Sequence, residues 1–295
     1  MSSKKIMLLI AGLFVGLLLL FGVSMLVGRL LFKGDEHTFP VSQGVGLVEI
    51  RGMIADSREP IRQLRHFLKK DNVKAVVLRI DSPGGVVGPS QEIHDEVRKL
   101  ARSKKVVVSM GSLAASGGYY IAAPATVIYA NPGTITASIG VLIKFSNIEG
   151  LLDKVGIKST TIKTGPFKDA GSPERQLSEQ DRAMFQAVID STHDQFVRAV
   201  AEGRKLPIEH VRRIADGRVL SGEQAKALRL VDKLGNLQDA IEEAGRLAGI
   251  SGEPQVIQAP RKRVNYFDLL AEGAEEKFNG VLNRTTGRGL QISYE

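Results

Sequence analysis

The stretch Val73 to Ile80, VKAVVLRI, is valine, leucine or isoleucine at most positions, and a strand of that composition has no polar face to turn to water. It must be covered on both sides, which is the situation of a strand inside a parallel sheet flanked by helices. Its neighbours fit that demand. Val45 to Ile50 and Val106 to Met110 read as further strands, while Pro60 to Lys70 and Pro89 to Ala101 read as helices, the second with Ile93, Val97, Leu100 and Ala101 at helical spacing. Strands alternating with helices predict an α/β domain of layered parallel sheets with flanking helices. Past residue 177 the chain reads as mostly helical. Ser178 to Gly203 opens with Ser178 and Asp181 at the first and fourth positions of a capping box, and Ile208 to Ala215, Gly222 to Leu228 and Leu237 to Leu247 follow.

Ahead of this body lies Ile6 to Val27, IMLLIAGLFVGLLLLFGVSMLV, 22 residues without a charge. At 1.5 Å per residue such a helix spans roughly 33 Å, the thickness of a bilayer core. A cleaved signal peptide is the rival reading, but its apolar region runs only about 7 to 15 residues and ends at a small-residue cleavage site. Lys4 and Lys5 precede the run, which favours a cytoplasmic N-terminus and a body on the outer face of the membrane. The expected division is therefore 1–5 cytoplasmic, 6–27 transmembrane anchor, 28–44 linker, 45–250 folded domain and 251–295 tail, the part from Arg261 to Glu295 either poorly ordered or draped over a neighbouring subunit.

Composition narrows the chemistry. The 295 residues include no cysteine, which removes disulfides, thiolate nucleophiles and cysteine-held metals. A net charge of +8 invites a nucleic-acid reading, but there is no tryptophan, aromatic residues make up 5%, and the basic residues are dispersed. A basic body tethered beside an anionic lipid surface is explanation enough. The histidines His37, His66, His94, His193 and His210 show no metal-ligand spacing.

The segment from 111 to 142, GSLAASGGYYIAAPATVIYANPGTITASIGVL, is dense in small residues and poor in charge, as a buried segment with close backbone approaches would be. Within it, Ser116 in AASGGYY is either a helix cap or a nucleophile. The GxSxG elbow motif is absent, since Ala114 stands where its first glycine would be. With no histidine announced as partner, a nucleophilic Ser116 needs another base, and a neutral lysine can serve. Lys168, in TIKTGPFKDAGSP, is presented by a shaped loop, although solvation is the usual fate of a lysine and a contact with Asp169 would favour its charged form. Two backbone N–H groups could hold an oxyanion: that of Gly117, and that of Gly85 or Gly84 in DSPGGVV. Val141, Leu142 and Ile143 are either a wall for an apolar substrate or an ordinary core strand.

Taken together, the apolar anchor, DSPGG, SMGSLAASGGYYIAA, NPGTITASIGV and TGPFKDAGSP, in this order and with Lys168 52 residues after Ser116, resemble the signal peptide peptidase A family in its short bacterial form. The resemblance covers roughly residues 45–250. It implies a Clp-protease/crotonase-like fold, an oligomeric ring with inward-facing sites, no cofactor or metal, residence in the bacterial inner membrane with the catalytic domain outside the cytoplasm, and cleavage of signal-peptide remnants and other unfolded apolar peptides. It also implies roles: Ser116 as nucleophile, Lys168 as general base, Ser138 as the hydroxyl that orients the lysine, and Gly85 and Gly117 as oxyanion donors. Two positions depart from the family pattern, Ala137 where glycine is usual and Leu113 where aspartate or asparagine is frequent. The competing readings are a crotonase-type acyl-CoA enzyme, which the anchor and the Ser116/Lys168 pair disfavour, and an inactive membrane-bound scaffold.

Overall fold

A computed structural model of the protein describes residues 12, 16–24, 43–260 and 293–294. The chain divides into two units, Met1–Ser42 and Gln43–Glu295. In the first, residues 12 and 16–24 are helical, and Leu17 to Phe21 are all exposed. The rest of the expected 6–27 span and residues 28–42 lie outside the described residues. Among the described residues no helix is long and apolar enough to cross a membrane.

The second unit is built on a sheet. Strands β1 (Gly44–Arg51), β2 (Val73–Ser82) and β4 (Lys105–Ala115) lie side by side and parallel, in the order β1-β2-β4. The far end of β4 pairs with β6 (Ile135–Ala137), while its near end pairs with β5 (Val127–Ala130). An antiparallel strand β7 (Val219–Ser221) borders β6, and β8 (Lys233–Leu234) borders β5. The other edge is β9 (Gln255–Gln258), parallel to β1. Residues 255–258 thus belong to the sheet and not to a tail, because the polar face of this short strand can stay wet at an edge.

The alternation of side chains along β2 explains why it carries apolar residues on both faces. Val76, Leu78 and Ile80 pack into one core with Val106, Val108 and Met110 of β4. Ala75 and Val77 point the other way, into a second cluster with Val107, Ala240, Ile241 and Ala244. The first face is covered by helices α1 (Arg58–Leu68), α2 (Val87–Ser103) and α3 (Gly117–Ala122), which bury Leu64, Phe67, Ile93, Val97 and Ile121. Each of these buried apolar side chains contributes about 1.5–3 kcal/mol relative to exposure.

Beyond β6 the chain makes a long excursion through the short helix α4 (Glu149–Lys154) before the 26-residue helix α5 (Glu179–Arg204), which packs Phe196, Val197 and Val200 into the first core. The capping box at its start is formed as read: Ser178 accepts from the Asp181 N–H and the Asp181 carboxylate accepts from the Ser178 N–H. Helices α6 (Ile208–Ile214), α7 (Gly222–Ala227) and α8 (Leu237–Leu247) complete the unit, α8 covering the second face. Val141 to Ile143 form no core strand; they are a half-exposed loop, with Leu142 open to solvent. The excursion leaves Leu151, Val155, Ile157 and Ile162 exposed as well.

Candidate active site

Strand β4 ends at Ala115 and helix α3 begins at Gly117, so Ser116 occupies the junction. Its backbone is at φ 53°, ψ −119°, a conformation that costs a residue with a side chain on the order of 1–3 kcal/mol. Two bonds impose it: the Ser116 N–H donates to the Ala137 carbonyl at 2.8 Å, and the Ser116 carbonyl accepts from the Tyr120 N–H at 2.8 Å. The geometry is that of a nucleophile elbow although the GxSxG motif is missing, and the close packing falls to the next two glycines. A methyl group on Gly118 would come within 3.0 Å of the Ser82 carbonyl oxygen. Ser116 stands at the N-cap position but makes no capping bond, and its buried Oγ has no hydrogen-bond partner among the described residues. The helix-cap reading of Ser116 therefore fails.

The two candidate donors flank this serine. The loop after β2 leads to a two-residue strand, β3 (Gly85–Val86). The Gly84 N–H is taken up by Ser82 Oγ at 3.1 Å, and the Gly84 carbonyl accepts from the Ile54 N–H at 2.8 Å. The Gly84–Gly85 peptide is trans, so with its carbonyl held on Ile54 its N–H points to the opposite side. That side faces Gly117, where an added methyl would lie 3.3 Å from the Gly85 nitrogen. At Gly85 itself a methyl would collide with the backbone of Ile54. The Gly117 N–H is directed by the same planarity, since the carbonyl of its peptide is the Ser116 carbonyl committed to Tyr120. The Gly84 N–H is thus engaged by Ser82, while the Gly85 nitrogen lies against Gly117. Ser90 on α2 closes the arrangement: its fully buried hydroxyl donates to the Val86 carbonyl at 2.9 Å and lies against Gly117.

Ser138 follows β6 at the register where Ser116 follows β4, because Ala115 pairs with Ala137. Ala137 and Ser138 both have left-handed backbone, at φ 64° and 51°, which turns the Ala137 carbonyl toward the Ser116 N–H. The Ser138 hydroxyl is nearly buried and makes one long bond, 3.4 Å, to the Gly217 carbonyl. Leu113, at the other departure from the family pattern, is half-buried and donates its N–H to Asp81 at 3.1 Å.

Lys168 is placed differently. Its loop is fixed by Phe145, whose ring stacks on Phe185 of α5 at 4.6 Å between centroids, and by Arg175, which bonds Asp169 at 2.8 Å and Asp181 at 2.6 Å. Asp169 is also bonded by Lys163 at 2.6 Å, and these cations hold its carboxyl far below the usual carboxylate range. The feared contact of Asp169 with Lys168 is absent. Lys168 itself is exposed, and among the described residues its side chain has neither a hydrogen bond nor an ion pair. The structure brings Ser116, Ser138, Gly85 and Gly117 together, while no bond links Lys168 to either serine. The sequence reading missed Ser82, Ser90 and Ile54; the serine in DSPGG was the one visible hint.

Among the described residues no group of His, Asp and Glu side chains is placed to hold a metal. Among the described residues no histidine bonds Ser116: His94 is turned to Asp95, and His210 to the Leu228 carbonyl. One further strand touches the site. The end of the chain, β10 (Ser293–Tyr294), lies antiparallel on β3, Tyr294 opposite Gly85 and Ser293 opposite Val86. Of the expected tail, residues 261–292 lie outside the described residues.

Comparison with known proteins agrees with this architecture. The model of peptidase family S49 matches residues 98–251, and the Clp protease model matches residues 49–134. A candidate protease of Synechocystis sp. is 44% identical over 70% of this chain and 75% of its own length. Another, of Methanocaldococcus jannaschii, is 38% identical over 86% of each chain. A protein of Enterococcus faecium named as a candidate signal peptide peptidase is 36% identical over 66% of this chain and 61% of its own.

Proposed function

This chain belongs to peptidase family S49 and is a serine peptidase resembling signal peptide peptidase A; from that premise we propose that it is a membrane-anchored endopeptidase acting by a Ser116–Lys168 dyad on signal-peptide remnants and other unfolded apolar peptides. The observation that carries the mechanism is the strained Ser116, its hydroxyl unengaged, beside two aimed backbone N–H groups. Neutral Lys168 takes the Ser116 proton as Oγ attacks the scissile carbonyl. Gly85 and Gly117 N–H groups hold the oxyanion, and the lysine then gives its proton to the leaving amine. Water repeats the sequence on the acyl-enzyme. Ser138 orients the lysine amine between the two serines.

A lysine acting as a base must be shielded from water, and the described residues of one chain leave Lys168 exposed. The exposed Leu151, Val155, Ile157 and Ile162 lie on the same excursion and form the kind of apolar surface that a second copy covers. In the homo-oligomeric ring proposed here, Lys168 of one copy therefore serves Ser116 of its neighbour. The pairing of Ser293–Tyr294 on β3 supports an extended peptide as substrate, added as a strand in the mode in which main-chain bonds give affinity. The uncharged residues 6–27 anchor the protein in the bacterial inner membrane with the peptidase domain outside the cytoplasm.

The test is complementation. Ser116→Ala and Lys168→Ala are each expected to be inactive on an unfolded apolar peptide while remaining assembled. Co-refolding the two variants restores up to about a quarter of the activity if the dyad spans copies, and none if it lies within one chain. Full activity of either variant alone overturns the mechanism.

A further inference from the structure

Two adjacent glycines offer two N–H groups to the groove, and a loop free to choose would present either. The choice is made by three bonds, of which two belong to Ile54: its N–H to the Gly84 carbonyl and its carbonyl to the Val86 N–H, both 2.8 Å. The third is the 3.1 Å bond from the Gly84 N–H to Ser82 Oγ, and Ser82 has no exposed surface. We propose that Ser82 is a positioning residue of the acyl-transfer site, whose hydroxyl occupies the Gly84 N–H and thereby fixes the Gly85 N–H as the oxyanion donor. The proposal rests on the mechanism above and adds a residue to it.

Ser82 does not touch the reacting atoms. It acts through the Pro83–Gly84 peptide plane. With the Gly84 N–H bonded, that plane cannot rotate, and the next plane keeps its carbonyl on Ile54 and its N–H toward Gly117. Without the hydroxyl, a buried N–H is left without an acceptor. The glycines on either side of the Gly84–Gly85 peptide offer no steric resistance to a turn that re-aims it. The defect appears where negative charge develops on the carbonyl oxygen, and far less in binding of the uncleaved peptide, which is held along β3.

The experiment uses the full chain and measures Ser82→Ala on an extended apolar peptide. Its reference inhibitors are a peptide aldehyde, which forms a tetrahedral adduct on serine, and the same peptide as an unreactive amide. Ser82→Ala is expected to lose about 10- to 100-fold in kcat, less than or equal to the loss of an oxyanion donor itself. The aldehyde weakens by the same factor, while KM and amide binding stay within about threefold of wild type. Ser109→Ala, which removes a buried hydroxyl bonded to Arg79 on the same sheet, leaves all four values unchanged. If Ser82→Ala does not assemble, Ser82→Cys, with a weaker acceptor in nearly the same volume, carries the comparison. A Ser82 variant with wild-type kcat and aldehyde affinity overturns the positioning role, as does a loss shared equally by the amide. Ser116→Ala separates the levels: if it cleaves normally the mechanism itself falls, and if it is inactive while Ser82→Ala is at full rate only the role of Ser82 falls.

Discussion

Replacement of Gly85 by alanine tests the donor arrangement most directly. The added methyl would lie 2.6 Å from the Ile54 nitrogen and 2.8 Å from its carbonyl carbon, and closer still to the carbonyl oxygen. The nearest of the quoted contacts is about 0.8 Å short of ordinary separation, and all three atoms are backbone with no rotamer to yield. Relief requires the Gly84–Val86 segment to part from Ile54, which gives up the two 2.8 Å bonds between them. At about 0.5–1.5 kcal/mol each, their loss lowers stability by about 1–3 kcal/mol. The catalytic loss is larger, because an N–H displaced by this much no longer meets the oxyanion, and removal of one such donor costs about 10²–10³ in kcat, or about 2.7–4 kcal/mol. The assay is steady-state cleavage of an unfolded apolar peptide, with labelling of Ser116 by a serine-directed phosphonate and thermal unfolding in parallel. Gly88→Ala is the control, since a methyl there meets nothing within 4 Å. A Gly85→Ala enzyme with kcat within twofold of wild type would refute the reasoning.

Ala137→Gly is expected to raise stability by up to about 1 kcal/mol without changing kcat, since relief of the left-handed conformation exceeds the added freedom of the unfolded chain; an unfolding midpoint at or below wild type would count against it. Arg175→Ala removes the clasp on Asp169 and Asp181 and frees the loop bearing Lys168, so activity falls with the Ser116 site intact to a phosphonate probe. The same variant changes acid stability. Bonds led by that to Arg175 lower the Asp181 pKa from its ordinary 3.8 to about 2, so their stabilisation is complete above about pH 4 and is lost as pH falls toward 2. Arg175→Ala is therefore less stable at neutral pH and shows a shallower loss between pH 4 and 2, and identical acid-unfolding profiles for the two proteins would dismiss the clasp.

What could be read from the sequence was what local chemistry decides. The Ser178–Asp181 box and the two-faced burial of Val73 to Ile80 depend on neighbours a few residues away or on composition, and both are found as expected. Gly84 and Gly85 could not be told apart, because the difference lies in which carbonyl Ile54 holds, thirty residues upstream. The elbow at Ser116 was hidden for a similar reason: Ala137, on another strand, imposes it in place of a flanking glycine. Whether Asp169 meets Lys168 could not be read from the sequence, because Arg175, six residues on, and Lys163 are what claim that carboxylate. Strand β4 extends to Ala115, past the expected Met110, since Leu113 and the alanines after it pair with β6 despite the low intrinsic preference of alanine for strands. Residues 255–258 read as tail because an edge strand needs little apolar content.

The pairing of the chain's last residues with β3 has a further meaning. Strand β3 offers a visitor two residues of main chain, one of them a glycine with no side chain to judge by. If β3 receives substrate as proposed, pairing of this kind would ask whether a length of polypeptide has its hydrogen-bonding groups to spare, a condition that native proteins do not meet and that their debris does. Under the proposed function, folded proteins would be spared by being folded, and Ser293 and Tyr294 lie where such a guest strand would pair.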